Sequence, residues 1–260
     1  MNTFASPVRQ YMHGPVVTVA PNATLDQARE AMDSHHISAV AVVENDALVG
    51  VVSRTDLLTV GTILAQGPRS NRPLELPPGE VVDLMTKDVL TVGPDDPVSK
   101  AAQVMVENHV HRVFVLDGNL LTGVLSTSNM MGAVSDARVM DPIAKFMSEP
   151  VMTVDLDTAL GDAVKRLNDA DVRGLVVVDQ DWPVGLFTQE EALESRSLPP
   201  ETPVDEAASA AMLCLDKDTP VHRAAAQAAA MDVRRILAVR DSQVEGILTG
   251  LDLARPALQG

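Results

Sequence analysis

Residues 81–129 read VVDLMTKDVLTVGPDDPVSKAAQVMVENHVHRVFVLDGNLLTGVLSTSN, and the fold turns on this stretch. After Thr91, apolar or small residues fall at Val98, Ala101 and Met105, three and four apart, which draws one stripe along a helix. VFVL at 113–116 then fills consecutive positions with apolar side chains, as a strand buried on both faces does. The polar turn DGN and the pair VL after Gly123 read as the return arm of a hairpin. Ser126 to Asn129 resembles the start of a further helix, with a hydroxyl cap and a polar residue three positions on. The unit is strand, helix, strand, strand, helix, with a helical lead-in at Val81.

The same unit occurs four times, and a repeat of this length governs any reading of the whole chain. Thr18, Thr91, Thr153 and Cys214 anchor the copies, and 32 positions after each stands Gly50, Gly123, Gly185 or Gly246. At 38 positions stand Asp56, Asn129, Glu191 and Asp252, with no gap needed in any copy. Alanine occupies one helix column throughout, at Ala28, Ala101, Ala163 and Ala224, allowing close approach to a sheet. Val8, Val81, Ile143 and Val204 mark the four lead-ins.

One copy leaves a three-stranded sheet with an uncovered apolar face, so the copies are expected to pair. The anchors lie 73, 62 and 61 residues apart, and only the first interval holds an insertion, GPRSNRPLELPPGE at 67–80, which reads as a surface loop. GAVSDARVMDP at 132–142 reads as the boundary between two pairs. The expected division is repeat 1 at 1–60, a loop at 61–80, repeat 2 at 81–132, a linker at 133–142, repeat 3 at 143–195 and repeat 4 at 196–260. Pairing of copies 2 and 3, with 1 and 4 outside, is the alternative. The fold class is α/β, made of small α+β-type units.

Bulk composition narrows the partners. With 46% hydrophobic residues but only 2% aromatic, the cores must be filled by Val, Leu, Ile, Met and Ala. A net charge of −16 lacks the basic footprint that holds nucleic acid or an anionic membrane surface. Four Phe, one Tyr and one Trp are too few for a base-stacking platform. A single cysteine excludes an internal disulfide framework, and no targeting segment or membrane-length apolar run is visible, so a cytoplasmic setting is expected.

DLMTKDVLTVGPDDPVSKAAQVM at 83–105, NHVHRVFVLDG at 108–118 and LVGVVSRTDLL at 48–58, held in the fixed spacings above, resemble the CBS domain (cystathionine β-synthase domain) family. The resemblance covers nearly the whole chain. It implies four CBS-type β-α-β-β-α repeats paired into two Bateman modules, and a regulatory role in which an adenosine-containing ligand sits in the clefts between paired repeats. AMP, ADP or ATP is the ligand class implied, with no catalytic cofactor. The regulated enzyme or transporter would act in trans, and the modules would assemble as a four-repeat disk or a homodimer.

By the same resemblance, an aspartate 38 after the anchor receives ribose hydroxyls, and the paired repeat lends a hydroxyl and an apolar residue near the base. Asp56 would be completed by Thr86 and Val110, with Ser53 and Thr55 on the ribose-phosphate side. Asp252 would be completed by Ser148 and Val172, with Thr249 nearby. Asn129 with His13 and Ile37 departs most from the pattern, because an amide cannot form the charge-assisted pair. Glu191 with Ser209 and Val233 departs mainly through its longer acid. Arg54, His111, Arg112, Arg173, Arg234 and Arg235 are the candidates for phosphate, since a guanidinium fork matches a phosphoryl group. Copy 1 departs from the basic columns with Ser38–Ala39, and copy 3 keeps half with Arg173–Gly174.

All four S/T-x-x-D/N/E endings are also explained by helix capping alone, which leaves a ligand-free scaffold with vestigial clefts as the competing reading. His35, His36, His109 and His111 have no compact metal-ligand spacing, and no catalytic motif is present, so no enzyme activity is expected. Cys214 sits in the first-strand column and reads as a structural thiol.

Overall fold

The computed structural model describes residues 4–63, 74–170, 172, 174–241 and 243–259. Repeat 1 comprises β1 (Thr18–Val19), α1 (Leu25–Ser34), β2 (Ala39–Glu44), β3 (Ala47–Ser53) and α2 (Arg54–Val60). A hairpin of β4 (Thr62–Ile63) and β5 (Leu74–Glu75) separates it from repeat 2. Repeat 2 is α3 (Val81–Leu84), β6 (Thr91–Val92), α4 (Val98–Glu107), β7 (Arg112–Asp117), β8 (Leu120–Ser126) and α5 (Thr127–Ala137). Repeat 3 follows with β9 (Thr153–Asp155), α6 (Leu160–Asp169), β10 (Gly174–Asp179), β11 (Trp182–Thr188) and α7 (Gln189–Glu194). Repeat 4 has β12 (Leu213–Asp216), α8 (Val221–Ala230), β13 (Ile236–Arg240), β14 (Gln243–Leu248) and a 3-10 helix at Asp252–Gln259.

In every copy the middle strand pairs parallel with the first and antiparallel with the third. The β2–β3 turn places Asn45 and Asp46 at φ of 49° and 64°, the conformation whose twist suits a two-residue hairpin. The helix stripe lies against the sheet as its spacing demands: Ala28, Ala101, Ala163 and Ala224 are all fully buried.

The lead-in residues Val8, Val81, Ile143 and Val204 are also fully buried, and the turn after each of them joins the copies. Thr86 of repeat 2 exchanges backbone hydrogen bonds with Val51 on β3, at 2.9 and 3.0 Å, and His13 of repeat 1 does the same with Val124 on β8, at 2.9 Å each way. Ser148 bridges to Ile247 and Ser209 to Leu186. Repeats 1 and 2 therefore clasp reciprocally, and so do 3 and 4. This clasp accounts for the glycine column. A Cβ at Gly50 would stand 2.5 Å from Met85 Sδ, one at Gly123 would stand 2.6 Å from Met12 Sδ, and one at Gly185 would stand 3.0 Å from Ala208 Cβ.

The two pairs meet through their helices. α5 packs on α8, α4 on the 3-10 helix and α2 on α7. Repeats 2 and 4 thereby share one apolar core, which runs from Val98 and Met105 through Met130 and Val134 to Ala224, Ala228 and Leu253. Repeats 1 and 3 keep separate cores. Their junction is more polar: Arg196, just after α7, donates to the carbonyls of Leu58, Thr59 and Gly61 around the end of α2.

Two local expectations are revised. The segment 132–142 is not all linker, because α5 continues to Ala137 and buries Ala133 and Val134 in the shared core. The insertion is not only a loop. Its residues 67–73 lie outside the described residues, but Leu74 pairs with Ile63 in the β4–β5 hairpin and packs in the core of repeat 1. The last helix of repeat 4 is 3-10 and contains Pro256, whose missing N–H disfavours a regular α-helix.

The clasp yields a test. Gly50→Ala is expected to lower unfolding stability by about 1–3 kcal/mol through overpacking against Met85. Adding Met85→Ala should cost less than the sum of the two single changes, as measured by urea unfolding of all three variants.

Candidate functional site

A hydroxyl residue ends the third strand of repeats 1 to 3 and caps the next helix, Thr249 follows the third strand of repeat 4 directly, and the polar residue three positions on closes back over it in every copy. Asp56 Oδ2 accepts from Ser53 N at 2.7 Å and Ser53 Oγ at 2.6 Å. Asn129 Oδ1 accepts from Ser126 N at 2.9 Å and Ser126 Oγ at 2.7 Å. Glu191 Oε2 accepts from both the N–H and the hydroxyl of Thr188, and Asp252 Oδ2 accepts from Thr249 N at 2.8 Å and Oγ1 at 2.9 Å. The cap thus fixes one oxygen in each copy and orients the other.

The second oxygen separates the copies. Asp56 is half-buried, and among the described residues no donor bonds to its Oδ1. Asp252 is only 4% exposed, and its Oδ1 lies 3.2 Å from Arg255 Nη2. Arg255 also donates from Nη1 to the Phe146 carbonyl at 3.4 Å. Glu191, whose extra methylene suggested a different reach, is folded back onto Thr188 and is 5% exposed.

The residues expected to complete the clefts come from the paired repeat. Thr86 bridges β3 two residues before Ser53, and Ser148 bridges β14 two residues before Thr249. Val110 is half-buried at the entry to β7, Val172 is half-buried in the core of repeat 3, and Thr55 is exposed on α2. His13 and Ser209 occupy the matching bridge positions, while Ile37 is half-buried and Val233 is buried.

Of the cationic candidates, Arg112 lies deepest in the junction. Its Nη2 donates to Ser38 Oγ of repeat 1 at 3.0 Å, so repeat 1 supplies an acceptor where repeats 2 and 4 carry a base. Burial and, secondarily, the neighbouring Arg234 pull its pKa down to about 10, against the attraction of Asp56. Arg112 of one pair is thus within electrostatic reach of Arg234 of the other and of the Asp56 carboxylate, and a concentration of positive charge favours an anion. Arg235 Nη2 reaches Thr188 Oγ1 at 3.4 Å across the other pair. Arg54 lies 3.5 Å from Asp33 and 3.7 Å from Glu194 of repeat 3. His111 and Arg234 are exposed, and Arg173 lies outside the described residues.

Sequence reasoning missed Arg255, Arg196 and the Thr127–Gly250 contact. A Cβ on Gly250 would stand 2.6 Å from Thr127 Oγ1, so the helix starts of repeats 2 and 4 abut. Among the described residues no three His, Cys, Asp or Glu are placed to hold a metal ion, and no helix is long and apolar enough to cross a membrane. Burial pushes the Cys214 thiol up, away from the thiolate form a nucleophile needs.

Comparison with known proteins settles the family. Three segments, residues 8–61, 81–136 and 143–198, match the CBS domain model. The chain belongs to the CBS-domain family. The solved structure of protein MJ1225 from Methanocaldococcus jannaschii superposes with a TM-score of 0.73 at 16% identity, covering 96% of this chain and 99% of that one. A conserved protein from Pyrococcus horikoshii gives 0.69 at 22% identity, covering 97% and 100%. These likenesses show the overall fold, and the four repeats are seen in the chain's own strands and helices. Among curated relatives, protein MJ1404 of M. jannaschii is 26% identical over 181 residues, which are 64% of this chain and 41% of that protein. The CBS domain-containing protein YhcV of Bacillus subtilis is 28% identical over 125 residues, 48% of this chain and 83% of that protein. The chain thus spans less than half the length of the first of these relatives. CBS domains are typically regulatory rather than catalytic units.

Because Arg112 is held charged against burial and a like charge, Arg112→Met should be neutral or stabilising by about 1 kcal/mol in anion-free buffer. Thermal melts of both proteins, repeated with phosphate, check this: phosphate should raise the melting temperature of the parent more than that of the variant.

Proposed function

We propose that this CBS-domain chain is a regulatory sensor that binds an adenine nucleotide between repeats 1 and 2 and signals to a separate enzyme or transporter. The observation that carries the reading is the state of half-buried Asp56: one oxygen is tied into the helix cap, the other meets no donor among the described residues, and the carboxylate is close enough to Arg112 to hold its pKa up against burial. A free carboxylate oxygen accepts ribose hydroxyls, and guanidinium groups pair with phosphate. Ser53, Thr55, Thr86 and Val110 would line this cleft, and Arg54, His111, Arg112, Arg234 and Arg235 would meet the phosphates, with Arg173 assigned there by its column alone. Asp252, Thr249, Ser148 and Val172 would form a second cleft.

Ligand bridging two repeats shifts the population toward one orientation of the pair, and a partner that reads that orientation is regulated. The helix faces that could join two chains are covered by the other pair within the same chain, which supports the four-repeat disk over a homodimer formed through those faces. A cytoplasmic setting, where adenine nucleotides abound, fits this role.

Calorimetric titration with AMP, ADP, ATP, NAD, S-adenosylmethionine and cyclic di-AMP tests the reading, and no saturable heat with any of them favours the ligand-free scaffold. Asp56→Ala is expected to weaken nucleotide binding about tenfold or more, the loss of a hydrogen bond to a charged group. Asn129→Ala should change affinity little. Equal losses from the two would overturn the assignment, and melting curves on the same variants separate binding loss from loss of the cap.

A further inference from the structure

Asp56 and Asp252 occupy the same column, and each gives one oxygen to the same cap, yet only Asp252 has its other oxygen engaged. The difference traces to the residue three positions on. In repeat 1 that residue is Thr59, whose hydroxyl donates to the Asp56 carbonyl within its own helix. In repeat 4 it is Arg255.

The guanidinium of Arg255 does two things at once. Nη2 lies 3.2 Å from Asp252 Oδ1, and Nη1 reaches the Phe146 carbonyl at 3.4 Å. Phe146 begins the Phe146–Met147–Ser148 turn of repeat 3, and Ser148 is clasped to β14 of repeat 4. Arg255 therefore spans from the carboxylate of one repeat to the turn supplied by its pair. Its side chain is 46% exposed while that of Asp252 is 6% exposed, so the cation covers the carboxylate and faces water on its outer side.

We propose that Arg255 is an intrachain latch that occupies the diol-accepting oxygen of Asp252 and closes the cleft between repeats 3 and 4, leaving the Asp56 cleft as the tighter site. The inference rests on the nucleoside-binding reading of these carboxylates. A half-exposed ion pair is weak, so the latch ranks the two clefts without abolishing the second. A ligand with vicinal hydroxyls must displace the guanidinium before it can engage Asp252, whereas at Asp56 it meets an oxygen that no donor among the described residues occupies.

Carboxylate accessibility tests the latch without any nucleotide. Carbodiimide-driven coupling of an amine, read by peptide mass spectrometry, should modify Asp252 about three- to fivefold faster in Arg255→Ala than in the parent, the factor matching a half-exposed pair. Asp46, in an exposed turn, serves as the unchanged reference. Arg255→Lys keeps the charge and should stay nearer the parent. No rise at Asp252, or an equal rise at buried Glu191 that marks general opening, overturns the latch. AMP titration supplies the second arm: in an Asp56→Ala background, Arg255→Ala should tighten AMP binding about fivefold. Faster coupling at Asp252 with no AMP binding by any variant leaves the latch standing and removes the nucleotide reading. AMP binding that needs Asp56, with coupling at Asp252 unchanged, removes the latch and keeps the reading.

Discussion

Each repeat donates a short turn to the third strand of its neighbour, and receives one in return. That exchange of backbone hydrogen bonds, made close by a glycine facing Met12, Met85, Met147 or Ala208, sets the geometry on which the clefts depend. Backbone groups at a sheet's edge need partners, and here the partner is the same turn that carries Thr86 or Ser148. The fold and the cleft are consequently one construction: a change that loosens the turn also moves the residue proposed to contact a base.

The four copies share this clasp and differ in what surrounds it. Repeats 2 and 4 fuse their helices into one apolar core, and their helix starts touch at Thr127 and Gly250. Repeats 1 and 3 meet through Arg54, Glu194 and Arg196, with Leu193 of α7 packed on the core of repeat 1. Among the described residues no donor bonds to the second oxygen of half-buried Asp56. Arg112, depressed to about 10 by burial and Arg234, is held nearby without a full counter-charge.

Most of the architecture was legible in the sequence because it is written four times. The Val98, Ala101, Met105 stripe and its counterparts define the helices, and the unbroken 32- and 38-residue spacings define the unit. The glycine column was visible, but its reason was not, since the sulfur that crowds Gly50 belongs to another repeat. Contacts between pairs were hidden for the same cause. Ala133 and Val134 look like linker until α8 covers them, and Leu74 looks like loop until β4 pairs with its strand. Pro256 did carry a readable signal against a regular last helix. At the site, the hydroxyl-to-acid spacing was plain, whereas the partner of the second oxygen depends on where Arg255 points. No linear pattern encodes that.

The grip of Arg196 on the far end of α2 has a mechanical consequence. This helix begins at Arg54, beside the Ser53–Asp56 cap, and its last carbonyls are held by a side chain from repeat 3. Seven residues of α-helix span only about 10 Å, too short to bend appreciably. Pivoting at one tip must therefore drag the other, and the second pair of repeats is hitched to whatever disturbs Asp56, as a trailer is to its tow bar.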